Sequence, residues 1–309
     1  QDNSFIITLY IRAKDDIGRF FYGYYIFIKE SFSSRLDLYF ILAIFAVGIC
    51  LRAYFLGQPM RYDESANFLN NVNRSLPFLF LYNAPNNHVL HTLLVKISTL
   101  FLGSFPASIR FPAFLSGLAS IPLIFVLCRA VIHGKSGILA TIGMSIAPIM
   151  VLHSTIARGY SLLLLFTLFL ALAGIVYMNR PSYSGCFVLS LIGASGMLTI
   201  PTMLFPCFGI YLWIVSMLYI KKISVKIIFL KFIVPVSIIT FFLTLVFYTP
   251  TIIASGGVDS IIRNQWVQPL QWKTFSNQIP PHFLFVFSRF TRDVPHSFLL
   301  LSGILMITG

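Results

Sequence analysis

The tightest constraint on this chain is a set of apolar runs at residues 38–56, 111–127, 162–178, 204–220 and 227–248. Wound as helix at about 1.5 Å per residue, each is long enough to cross most or all of roughly 30 Å of hydrocarbon. No water is available there, so every backbone N–H and C=O must be paired within the segment, and such runs can only be helices packed as a bundle. Composition agrees: 57% of residues are apolar and 10% charged, and the mean hydropathy is +0.86. These values exclude an ordinary soluble domain. The expected fold class is all-α, a polytopic membrane protein.

Two shorter stretches, 137–152 and 186–200, carry Gly, Ser and Pro and are expected to lie buried between other helices. A further apolar stretch begins near His296 and the chain stops inside it at Gly309, so the sequence is expected to be a piece of a longer protein. That makes about eight crossings in this part. No cleavable signal peptide is expected, because the apolar run at 5–10 is short and Asp15, Asp16 and Glu30 follow it. The chain divides into a cytoplasmic or interfacial segment (1–35), a membrane module (36–250), an outer interfacial loop (251–294) and the start of another transmembrane helix (295–309). In the outer loop, Gln265, Trp266, Trp272 and Phe283 are expected to anchor at headgroup level or to cover a site.

Charge orients the bundle. Arg12, Lys14, Arg19, Lys29 and Arg35 precede the first run, and Arg129 with Lys135, Arg180, and Lys221 with Lys222 and Lys226 fill three later connections. The positive-inside rule puts these on the cytoplasmic face of a plasma membrane and puts residues 57–110, 153–160 and 199–202 outside. The arrangement holds only if 88–102, with Lys96 in its middle, lies in the interface instead of crossing. A net charge of +13 does not mark a nucleic-acid partner, because the basic residues are dispersed among the spans. Cys50, Cys128, Cys186 and Cys207 lack metal-ligand spacing and are read as small core residues.

Chemistry is sought on the outer face. Acidic residues number only nine in 309, yet two adjoin at Asp63-Glu64 just beyond the first span. A solvated helix start in a surface loop is the plain alternative. The same face gathers Arg61, Asn86, Asn87, His88, His91, Arg110, His153, Arg158 and Tyr160. Arginines there, Arg74, Arg263, Arg289 and Arg292 among them, need either an anion or an interfacial place to snorkel. A phosphate suits the guanidinium fork, and a lipid phosphate could enter sideways with its chain still in hydrocarbon.

Four short motifs in order, Arg61-Tyr-Asp63-Glu64, Asn87-His88-Val-Leu-His91, Ser108-Ile-Arg110-Phe-Pro112 and Ile156-Ala-Arg158-Gly-Tyr160, carry a family resemblance. Over about residues 36–250 the chain resembles the polyprenyl-phosphate-sugar-dependent glycosyltransferases of the GT-C superfamily. It looks closest to the branch of protein O-mannosyltransferases and the aminoarabinose transferase acting on lipid A. The resemblance implies a GT-C-like membrane module with interfacial helices in the first outer loop. It also implies inverting transfer of a sugar from a polyprenyl-phosphate donor to a hydroxyl of a lipid, glycan or protein acceptor. Asp63 then takes the role of catalytic base, with Glu64, Arg61, Asn87, His88, Arg110, Arg158 and Tyr160 as substrate-binding residues. The family's Pro-Leu element reads His88-Val89-Leu90-His91 here, and the element after the fifth span reads Leu198-Thr199-Ile200-Pro201. His88 with Asp63 or His91 leaves a divalent metal open, with no third ligand evident in the sequence. A transporter or flippase for a phosphate-bearing lipid is the alternative, and it would call for broken helices and ionisable groups at mid-membrane depth.

Overall fold

The computed structural model describes residues 2–32, 34–82, 86–132, 136–262, 277–285 and 288, and its described regular structure is all helical. Residues 1–262 form one unit and 263–309 another. The second unit shows a helix over 277–285, with Phe283 exposed. Gln265, Trp266, Trp272, Arg263, Arg289, Arg292, Lys135 and the stretch from His296 lie outside the described residues.

Helix α1 (Asp2–Ser31) buries Phe20 against the bundle. Then α2 (Arg35–Leu56) starts at Ser34, whose hydroxyl accepts from the backbone N–H of Asp37 at 3.3 Å. The first loop carries α3 (Tyr62–Asn67), a π-turn at Phe68–Val72, α4 (Leu76–Leu79) and α5 (Val89–Leu102). Next come α6 (Pro106–Val131), α7 (Ser136–Ile146), α8 (Pro148–Ser154), α9 (Tyr160–Asn179), α10 (Tyr183–Thr199) and α11 (Leu204–Ile220). Helices α12 (Val225–Ile228) and α13 (Val234–Ala254) are joined by a second π-turn, and α14 (Asp259–Ile262) is a single turn.

Among the described residues five helical segments are long and apolar enough to cross a membrane: α2, α6, α9, the run Pro201–Ile220 and the run Val225–Ala254. The α7–α8 pair makes a sixth if the bent pair is one span. All five long runs expected from the sequence are therefore helices of spanning length. The stretch 137–152 is not one straight helix, since α7 and α8 meet at 57°. Pro148 has no N–H to give to the carbonyl four residues earlier, and the freed carbonyls need another donor. Arg52, fully buried in α2, supplies it: its guanidinium donates to Met144 O at 2.9 Å and Ser145 O at 2.8 Å. A cation at a helix C-terminus also complements the helix dipole.

The core packs α9, α10, α11 and the run through α13, with Tyr177, Leu189, Met203, Ile214 and Phe232 buried. Small residues on α10 make this packing close. A Cβ at Gly185 would come within 2.8 Å of Tyr177 and 2.9 Å of Phe20, so only glycine fits. Cys186 and Cys207 are core residues, whereas Cys50 is exposed and Cys128 half-buried, because their helix faces are not covered by neighbours.

Contacts define two ends. At one, Asp37 of α2 pairs with Arg129 of α6 at 3.7 Å, and Lys221 after α11 donates to Met178 O of α9 at 3.1 Å. At the other, the chain leaving α2 meets the start of α6, His88 meets Gly159 before α9, and the Tyr82 N–H donates to Ser255 after α13. Asp63, His88, Arg110 and Arg158 thus share one end, and Arg129, Arg180 and Lys221 the other. Single cysteines at positions 158 and 222 are expected to label from opposite sides of a sealed membrane. Labelling of both from one side contradicts this arrangement.

Candidate functional site

The site is built on a buried ion pair. Glu64, in the first turn of α3, is 1% exposed and Arg110 of α6 is fully buried. Arg110 Nε donates to Glu64 Oε1 and Nη2 to Oε2, each at 2.8 Å. The remaining guanidinium donors go to Leu56 O, Gln58 O and Pro59 O, at 2.8, 2.6 and 3.1 Å. The carboxylate also accepts from the N–H of Arg61 at 2.8 Å and of Ala157 at 2.6 Å. All five guanidinium donors and four carboxylate acceptor positions are filled. Burial alone pushes the Glu64 carboxyl up, but the bonds from Arg110, Arg61 and Ala157 outweigh it and hold it below its ordinary value. One pair therefore ties together the end of α2, α3, α6 and the α8–α9 turn.

Asp63 is exposed beside this clasp, and no described residue forms an ion pair with it. Adjacent residues on a helix point about 100° apart, so burying Glu64 turns Asp63 outward. The backbone carbonyl of Asp63 accepts from Asn86 Nδ2 at 3.4 Å, and the Asn86 carbonyl accepts from Arg158 Nη1 at 3.0 Å. Asn86 thus bridges the carboxylate-bearing helix and the α8–α9 turn. The Arg158 guanidinium lies 5.7 Å from the Tyr160 ring centroid.

His88 sits at the N-cap position of α5 without capping it. Its Nδ1 instead accepts from the Gly159 N–H at 2.8 Å, which places the proton of the neutral ring on Nε2. A Cβ at Gly159 would lie 2.8 Å from Thr199 and 3.0 Å from His88, so the close approach of α9, α10 and α5 requires glycine. Asn87 is buried, with its amide nitrogen 2.9 Å from both Leu79 O and Leu81 O and its oxygen accepting from Thr92 at 2.7 Å. Lys96 of α5 donates to Val72 O at 2.8 Å and Arg74 O at 3.2 Å, closing the turn after the π-segment. Polar atoms of Glu64, Arg110 and Asn87 are spent inside the fold, so of the site residues expected from the sequence the more accessible ones are Asp63, Arg61, Arg158 and Tyr160.

Arg61 is exposed at the rim of a groove of about 400 Å³ lined by Leu51, Phe55, Ile146, Val151 and Leu152. The groove is apolar with one cation at its edge. Neither its wall on α7 and α8 nor a row of amides at Asn67, Asn70 and Asn71 was among the residues expected from the sequence, although the spacing of the amides is a readable signal. Among the described residues no group of three or more His, Cys, Asp or Glu is placed to hold a metal ion.

His91 is fully buried and neither ring nitrogen has a hydrogen-bond partner among the described residues. Burial, and then the Arg158 charge, pull it down to about 3, and burial pulls His88 well below its ordinary value. Both are neutral in the folded protein. The unfolded chain binds those protons near pH 6.5, so stability present at neutral pH falls as pH drops below about 6.5. Glu64 acts in the same direction further down: its contribution is present above about 4.5 and is lost as pH falls through its lowered folded value. Thermal unfolding at pH 7.5 and 5.0 is expected to show a smaller acid loss for His91→Leu than for wild type. Equal losses contradict the assignment.

Comparison of the chain with protein-family models, with curated proteins and with solved structures found no match.

Proposed function

We propose that this protein transfers a sugar, with inversion, from a polyprenyl-phosphate-linked donor to an acceptor hydroxyl at the extracytoplasmic face of a membrane. The observation that carries the reading is the Asn86 bridge, which holds the segment of an exposed carboxylate, Asp63, against that of a half-buried arginine, Arg158. A base and a phosphate-binding cation on one rigid frame are what such a displacement needs. The groove beside Arg61 supports the same reading, since its apolar wall suits a lipid chain and its rim a phosphate. In this reading Asp63 is the base, Arg158 and Arg61 bind phosphate, Tyr160 packs beside them, and the neutral His88 donates from Nε2. Glu64, Arg110 and Asn87 act as positioning residues. The positive-inside rule, with Arg129, Arg180 and Lys221 at the far end, supports an outward-facing site.

Transport of a phosphate-bearing lipid is the second reading. The broken α7–α8 pair and the buried Arg52 favour it, since both features occur along transport paths. Against it, Arg52 lies only four residues from the end of α2, about 6 Å along the axis, and caps the break itself.

Arg158 separates these outcomes in a transfer assay. A charge-assisted phosphate contact is worth about 1.5–3 kcal/mol, so Arg158→Ala is expected to weaken donor use by about tenfold or more. Arg158→Lys is expected to recover part of that, keeping charge without the fork. Donor use by Arg158→Ala equal to wild type contradicts the phosphate assignment.

A further inference from the structure

We infer that a second cavity in the first loop, on the α3–α4 side, is a binding site for a hydroxyl-rich ligand, a sugar ring that carries or lacks an anionic substituent. The cavity measures about 330 Å³ and is lined by Asn67, Asn70, Asn71, Arg74, Phe78 and Asn86, among others. That volume falls in the range of small-molecule sites, about 300–1,000 Å³.

Its chemistry is distinctive. Asn67, Asn70, Asn71 and Arg74 recur at i, i+3, i+4 and i+7 and all line the cavity, the three amides from α3 and its π-turn and Arg74 from the bend just after. Asp63 precedes Asn67 by four residues on the same segment. Each amide offers donors and an acceptor, which matches hydroxyl groups that also do both. Among the described residues the lining has no carboxylate and one guanidinium, so a cationic ligand is disfavoured and an anionic substituent is accommodated. Phe78 is 36% exposed, with the Arg74 guanidinium 5.2 Å from its centroid, and it offers an apolar face to the C–H side of a ring.

Some of these amides build the wall. Asn71 donates to Phe78 O at 2.8 Å and Leu81 O at 3.4 Å and thereby fixes the loop. Asn67 is different. It is 7% exposed, its Nδ2 donates to Thr92 at 3.0 Å, and its Oδ1, closed to solvent, has no partner among the described residues. The groups open to a ligand are therefore those of Asn70, Asn86 and Arg74. Asn70 is exposed and Asn86 half-buried at the cavity, the latter also touching the Asp63 backbone.

If the transfer reading holds, this is the acceptor subsite, since it adjoins Asp63 through Asn86, and the lipid groove is lined by a different set of residues. Binding itself does not depend on that reading. The test uses the purified full chain in nanodiscs without lipid donor. The probes are methyl pyranosides of glucose, galactose, mannose and N-acetylglucosamine, with their 6-phosphates, read by saturation-transfer NMR. At least one probe is expected to bind wild type and to bind Asn70→Leu about fivefold or more weakly. Arg74→Leu is expected to lose the preference for the phosphorylated member of the pair. Both positions are exposed, so these variants keep the buried frame. No probe binding to wild type, or undiminished binding by Asn70→Leu and Arg74→Leu, overturns the site. Sugar binding without any transfer activity leaves the site standing and removes the transfer reading. Transfer at wild-type rate by both loop variants, with sugar binding weakened, removes the acceptor role alone.

Discussion

Glu64→Ala, or Arg110→Met, is expected to lower the unfolding free energy by about 3–5 kcal/mol, the usual cost of removing one partner from a buried ion pair. The pair is saturated, so each deletion strands more than one group. Without Glu64, the Arg110 charge stays buried and the N–H groups of Arg61 and Ala157 lose their acceptor. Without Arg110, the carboxylate stays buried and three carbonyls at residues 56, 58 and 59 lose their donor. Making both changes together is expected to cost less than the sum of the single changes, because no lone charge remains. Thermal unfolding of the purified protein, arranged as a double-mutant cycle, measures the coupling. Single losses below about 1 kcal/mol, or strict additivity, contradict the clasp.

Much of the bundle was legible in the sequence because spanning helices answer to one variable, the length of an apolar run. All five long runs are helices of spanning length. The break at Pro148 was signalled by a proline inside an apolar stretch, but the donor that satisfies it was not, because Arg52 lies over 90 residues away. The site divides in the same way. Asp63-Glu64 stood out as an acidic pair, yet nothing local reveals that Glu64 turns in to a partner 46 residues later while Asp63 turns out. The sequence offers His88 for a substrate or metal contact, and nothing local reveals that its Nδ1 is taken by Gly159, 71 residues on. Long-range hydrogen bonds of this kind have no periodic signature. The asparagine row at 67, 70 and 71 does have one, in its i, i+3, i+4 spacing.

Asp63→Asn is expected to abolish most turnover while donor binding persists. In the proposed reaction the acceptor oxygen attacks the anomeric carbon, the C–O bond to the phosphate breaks, and the acceptor proton passes to the Asp63 carboxylate. The leaving phosphate has a second pKa near 6, so it departs without a general acid, its charge held by arginine. One carboxylate then suffices. Retention through a covalent intermediate needs a second carboxylate about 5 Å across the sugar, and Glu64 is buried with its oxygens occupied. Removing a general base typically lowers the rate by about 10² to 10⁴, and asparagine keeps the shape of the site. The most direct measurement is NMR of the product formed in proteoliposomes from a panel of polyprenyl-phosphate sugars, for wild type and Asp63→Asn. The account predicts an inverted anomeric centre and a turnover loss of about 10² or more in the variant. A product with the donor's configuration, or full activity of Asp63→Asn, contradicts it.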